Sequence, residues 1–116
     1  MLIKINKKEF EINTKLGTTF IIEERFKKPY LRVLSEIQNL TAKEQIEMLA
    51  CGIVNKDEKN EFKEAIKELG IGELTEKLEE FIDELQYPGL TESEKEEKKL
   101  QKIAKQKHMK EIGLIN

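Results

Sequence analysis

A change of hydrophobic period after Ile12 does most to limit what this chain can fold into. Up to that point apolar residues alternate with polar ones. Ile3 and Ile5 are spaced by Lys4, and Phe10 and Ile12 by Glu11. Period 2 on two short arms, with Asn6-Lys7-Lys8 between them, predicts a β-hairpin. The turn has no Gly, so Asn6 is expected to supply its left-handed conformation. An isolated hairpin is marginal in water, so the Ile3/Ile5/Phe10/Ile12 face must pack on something.

From Leu16 onward the apolar spacing is three and four, as a helix requires. Thr18 or Thr19 can cap a short helix through Phe20-Ile21-Ile22 to Phe26, which Lys27-Lys28-Pro29 ends. Tyr30, Val33, Leu34, Ile37 and Leu40 mark a second helix opened by Pro29. Thr41-Ala42-Lys43-Glu44 is a capping box opening a third, with Ile46, Leu49, Ala50 and Ile53 on one face. Met48, Cys51 and Val54 widen that face. Asp57 is the expected cap of a fourth helix carrying Phe62, Ala65, Ile66 and Leu69, closed by Gly70 as a C′ residue. The fifth has the clearest amphipathic pattern: Leu74, Leu78, Phe81, Ile82 and Leu85, stopped by Tyr87-Pro88-Gly89.

The remaining segment is of a different kind. Thr91-Glu92-Ser93-Glu94 is a second capping box, followed by acidic and then basic residues, an order that complements a helix dipole. From Thr91 onward seven Lys face five Glu, so this segment is net +2 and the rest of the chain −4. Leu100, Ile103 and Ala104 are its short apolar stripe. The expected architecture is therefore α+β, mainly α. An N-terminal hairpin packs on a small bundle of about five helices over residues 1–89, and a charged C-terminal helix or tail covers 90–116.

Chemistry is harder to find. One Cys and one His, in 116 residues, supply neither a disulfide nor an ordinary zinc site. Cys51 lies on an apolar helix face, where free Cys acts as a small hydrophobe, and His108 lies in the charged tail. Nearly every Glu sits beside a Lys at helical spacing, as with Glu64–Lys67 and Glu73–Lys77, which describes a solvated face. Asn55-Lys56-Asp57-Glu58-Lys59-Asn60 lacks the order of a calcium loop, and no glycine-rich phosphate motif is present. A helix-turn-helix over Ile46–Val54 and Phe62–Leu69 would read DNA with an acidic helix, five carboxylates against three Lys from Asp57 to Leu69. Lys98–Lys110 has six Lys but no Arg and no aromatic residue for stacking bases. Met1-Leu2-Ile3 runs at once into Lys4, and no apolar run approaches the roughly 20 residues of a membrane span. The sequence thus points to a cytoplasmic, non-enzymatic protein with no cofactor, no nucleic acid and no membrane.

The order of elements carries a resemblance. A hairpin of the form I-K-I-N-x-K-E-F-E-I opens the chain, and Phe20-Ile21-Ile22-Glu23-Glu24 follows. Next come L-R-V-L-S-E-I-Q-N-L from Leu31 to Leu40, then Thr41 and a helix ending Met48-Leu49-Ala50-Cys51-Gly52-Ile53. L-E-E-F-I-D-E-L closes the compact part. Over residues 1–86 this resembles the tail assembly chaperones of long-tailed bacteriophages and prophages, with Lys7 where their hairpin usually has Gly. The resemblance implies a partner, the tail tape measure protein, kept soluble in the host cytoplasm until the tail tube polymerises around it. It also implies self-association and absence from the mature virion. Leu100, Ile103 and Ala104 are the expected partner-binding residues, with packing onto the chain's own core as the other use of that stripe. A small helical DNA-binding or regulatory protein is the alternative from a different class, and a generic prophage structural adaptor a third.

Overall fold

The computed structural model describes residues 1–87. The described residues are mainly helical, with an N-terminal two-stranded antiparallel hairpin and five α-helices among them. Strands β1 (Leu2–Ile5) and β2 (Lys8–Glu11) pair in the register Leu2↔Glu11 to Ile5↔Lys8. The turn is two residues rather than three, because Lys8 joins the ladder opposite Ile5. Asn6 takes the left-handed conformation at φ 58°, as its type allows. Ile3, Ile5, Phe10 and Ile12 are all buried, so the whole predicted face packs inward.

Helix α1 (Leu16–Phe26) starts earlier than expected. Its first turn is set outside the helix, by Asn13 Oδ1 accepting from the Lys15 N–H at 2.9 Å. Thr18 and Thr19 are therefore not caps but buried helical residues. The α1 C-terminus turns through Lys27 in the left-handed region at φ 56°, whose N–H returns to the Glu23 carbonyl. Glu23 Oε2 then accepts from the Tyr30 N–H at 2.7 Å, joining the end of α1 to the start of α2 (Tyr30–Ser35). The expected second helix breaks in two: α2 stops at Ser35, and Ile37–Asn39 forms a separate 3₁₀ turn. Val33 is buried and Ile37 and Leu40 are half-buried, so the stripe survives the break.

Helix α3 (Ala42–Ala50) opens on Thr41 with both halves of the capping box formed, at 3.1 Å and 3.0 Å. Asn55, not Asp57, caps α4 (Lys56–Ala65), its Oδ1 accepting from the Glu58 N–H at 2.9 Å. A 3₁₀ turn at Ile66–Glu68 ends that helix. Gly70 accordingly sits before α5 (Ile71–Gln86) in an extended conformation, rather than after α4 as a left-handed cap. Helix α5 packs on α3, and α3 on α4. Val54 is exposed: the backbone leaves the helix before it, so it cannot widen the α3 face.

The core is a single cluster. Its centre is Phe10 against Phe62, edge to face at 5.4 Å between ring centroids. Lys8 closes that contact from outside. Its ammonium lies 5.3 Å from the Phe10 ring and pairs with Glu61 on α4. The chain after β2 presses against the end of α3, with the Asn13 N–H donating to the Gly52 carbonyl at 2.8 Å. Gly52 has to be glycine there. A Cβ would run into the Ile12 side chain and sit 2.9 Å from the Asn13 carbonyl oxygen. This gives the Cys51-Gly52-Ile53 sequence a packing reason: the hairpin docks on it.

Candidate functional site

The expected partner-binding residues Leu100, Ile103 and Ala104 lie outside the described residues, as does His108. Within the described residues the most distinctive surface is one that the periodicity did not single out. It is the outer face of α1, where the polarity of the helix is reversed over its first two turns. Thr18 and Thr19 point inward and are buried, while Leu16 and Phe20 point outward and are 69% and 60% exposed.

The inward hydroxyls are tolerated because both are bonded. Thr18 Oγ1 donates to the Asn13 carbonyl at 2.9 Å and Thr19 Oγ1 to the Leu16 carbonyl at 2.6 Å. Core contact by α1 rests on Ile22 and, one turn on, Phe26. Leu16 and Phe20 stand four residues apart on the opposite side, and Ile21 flanks them. A shallow depression follows, lined by Ile21, Glu24, Arg25 and Lys27, so the apolar face runs into a mixed-charge margin. Leu31 on α2 is also exposed. One signal for this face was present in the sequence. Phe20, Ile21 and Ile22 are consecutive, and at about 100° per residue three neighbours cannot all face one core.

Glu47 fixes α1 to the body. Its carboxylate takes Arg25 of α1 at 3.2 Å and Lys63 of α4 at 3.1 Å. Partial burial alone would raise its pKa. The Lys63 hydrogen bond and the Lys63 and Arg25 charges outweigh burial, and the carboxyl lies below its usual range.

Other chemistry is sparse among the described residues. Cys51 is buried, its Sγ donates to the Glu47 carbonyl at 3.2 Å, and burial pushes its thiol up to about 11. Such a thiol is a poor nucleophile at neutral pH. No group of three or more metal-ligating side chains gathers, and no helix is long and apolar enough to cross a membrane, among the described residues. An open groove of about 680 Å³ lies beside the Gly52–Asn13 seam, lined by Ile12, Asn13, Lys15, Val54, Glu58 and Glu84 among others. Its main-chain groups near Asn13 are already used in docking the hairpin. No family model, curated protein or solved structure matches this chain.

Proposed function

We propose that this protein is a non-enzymatic tail assembly chaperone of a long-tailed bacteriophage or prophage. It binds the tape measure protein in the host cytoplasm and keeps it soluble before tail tube polymerisation. The observation that carries the reading is the reversed polarity of α1. Leu16, Phe20 and Ile21 are held out to solvent on a helix whose inner face is satisfied by hydroxyls. A surface of this kind suits the apolar stripe of an amphipathic partner helix, by the helix-in-groove mode of recognition. The charged margin at Glu24, Arg25 and Lys27 suits a partner that must later be released, since rim charges tune rates more than affinity. Leu100, Ile103 and Ala104 would add a second contact from the tail.

The DNA-binding alternative is opposed by α4, whose first turn carries Asp57 and Glu58. An acidic helix repels phosphates.

The test is co-expression with a phage tape measure protein, the long helical partner this reading implies. The chain should raise the soluble yield of that protein and co-purify with it, and Phe20→Ser combined with Leu16→Ser should abolish both. An unchanged yield and no complex with the native chain would remove the chaperone reading. Salt-sensitive binding to duplex DNA would favour the alternative.

A further inference from the structure

Residues 15–40 carry α1, α2 and the Ile37–Asn39 turn. They leave the rest of the fold at one end of α3 and return to it at the other. They depart past Asn13, whose N–H donates to the Gly52 carbonyl beyond the C-terminus of α3. They come back at Thr41, which caps the N-terminus of the same helix. Both junctions are held on the side of the body, the second also by the Gln45 side-chain amide donating to the Leu40 carbonyl at 3.4 Å. The nine residues of α3 set the two ends about 13 Å apart, and 26 residues span that distance as a strap. The strap is well bonded to itself. The Lys28 N–H donates to the Glu23 carbonyl at 3.3 Å, Glu23 Oε2 holds the Tyr30 N–H, and Glu36 takes Lys28 at 2.8 Å and Arg32 at 2.7 Å. To the body it is bonded thinly. Of the seventeen apolar residues buried among the described residues, only Ile22 and Val33 belong to it. A gap of about 310 Å³, lined by Phe26, Val33, Leu40 and Glu44 among others, lies between it and the start of α3. The Thr18 bond to the Asn13 carbonyl lies at the hinge itself. Midway along the strap, Arg25 Nε and Nη2 each reach Glu47 Oε2 at 3.2 Å.

We infer that residues 15–40 open from the body as one unit, with the Arg25–Glu47 pair as the latch, while the hairpin and α3–α5 stay folded. Local stability follows buried apolar contact, and a segment with two buried apolar residues lies at the low end of the range. Opening uncovers Ile22 and Val33 and takes no residue out of the Phe10–Phe62 seam. The bonds at Glu23 and Glu36 make α1 and α2 move together. Glu47 keeps Lys63 at 3.1 Å when Arg25 leaves, so the carboxylate is not stranded without a cation and the latch can close again. In the open form Ile22 and Phe26 join the outward Leu16 and Phe20, and α1 offers apolar side chains on both of its sides. The inference concerns the free chain and does not rest on the chaperone reading.

The experiment is native-state hydrogen exchange on the full chain, read amide by amide over urea concentrations below the unfolding midpoint. The amides of Ile22, Phe26, Val33 and Leu34 should share a single opening, roughly tenfold or more populated than the one that exposes Leu49, Phe62 and Phe81. Arg25→Gln should speed exchange of the four strap amides by one common factor, about two- to fivefold, as for a partly exposed ion pair. Phe62→Leu separates the two openings. It weakens the closed and strap-open forms alike, because both keep the seam, and it leaves the unfolded form untouched. Exchange of the body amides should therefore rise severalfold while that of the strap amides stays the same. Strap amides that accelerate with Phe62→Leu as much as the body amides would mean that the strap opens only when the whole chain unfolds, which overturns the inference. Separate openings for α1 and α2 would overturn it too, and so would strap amides indifferent to Arg25→Gln.

Discussion

Two regions of this molecule use the same kinds of side chain in opposite ways. At the seam between the hairpin and α4, the large apolar residues of the hairpin's inner face are turned inward. Phe10 and Phe62 meet edge to face, Ile3 and Ile12 are fully covered, and Lys8 and Glu61 shield the contact from water. On the first turns of α1 the small hydroxyls go inward and Leu16 and Phe20 go out. The seam holds the fold together. The α1 face adds little to stability and keeps apolar area free for something else. The difference shows that apolar content alone does not tell core from binding surface. What separates them is whether the inward positions are filled by groups that have other ways to be satisfied, as Thr18 and Thr19 have.

The largest effects should come from the seam. Phe62→Ala removes a fully buried ring and its edge contact with Phe10, and a loss of about 3–5 kcal/mol is expected. That is a large part of the roughly 5–15 kcal/mol that holds a small domain. Urea unfolding followed by circular dichroism measures it. A loss below about 1 kcal/mol would mean that the hairpin is not an integral part of the core. Gly52→Val comes next, since its side chain has to displace Ile12 and approach the Asn13 carbonyl. Overpacking of this kind costs about 1–3 kcal/mol. Faster hydrogen exchange confined to β1 and β2 would show the hairpin lifting off α3, which is the expected way for this variant to fail.

The two regions are connected through Glu47, and pH probes that connection. Its pKa is lowered in the folded chain, so its stabilising contribution is present above the unfolded carboxylate pKa. That contribution disappears as pH falls through the lower folded value. Glu47→Gln should therefore cost about 0.5–1 kcal/mol at neutral pH, in keeping with a partly exposed pair. The gap between variant and native chain should close in acid, when the native carboxyl is protonated too. A gap that stays constant with pH would show that packing, not charge, holds α1 to α3 and α4.

Much of this was legible in the chain, and what was not has a common cause. The hairpin face could be read because alternation at Ile3, Ile5, Phe10 and Ile12 is a local property of strand geometry. The α3 start could be read because Thr41 and Glu44 complete each other's bonds within four residues. The misplacements depend on the backbone path around each residue rather than on its type. Thr18 looks like a cap until the Asn13 carbonyl is brought beside it. Gly70 looks like the end of α4 until the Ile66–Glu68 turn closes that helix first. Asp57 is the expected cap of α4 by its type, and the backbone path after Ile53 makes Asn55 the cap instead. The apolar stripe at Leu100, Ile103 and Ala104 is legible from spacing alone, and it lies outside the described residues. The α1 face is not legible that way, because a helix with threonine inside and phenylalanine outside inverts the rule by which faces are assigned.

The smallest effect on stability is the one that decides between the two uses of apolar surface. Leu16→Ser with Phe20→Ser replaces side chains that are mostly in water, so little burial is lost and the serines cost only a few tenths of a kcal/mol in helix propensity. The expected change in unfolding free energy lies within about 0.5 kcal/mol. The same pair should nevertheless lower binding of an apolar dye and lower any self-association seen by sedimentation, because both draw on exposed apolar area. Arg25 and Glu47 remain in place in this variant, so α1 keeps its position and the loss cannot be assigned to a displaced helix. If the double variant instead unfolds with a cost near that of Phe62→Ala, α1 packs more of its outer face than its exposure indicates. The distinction between the closed seam and the open face would then fail.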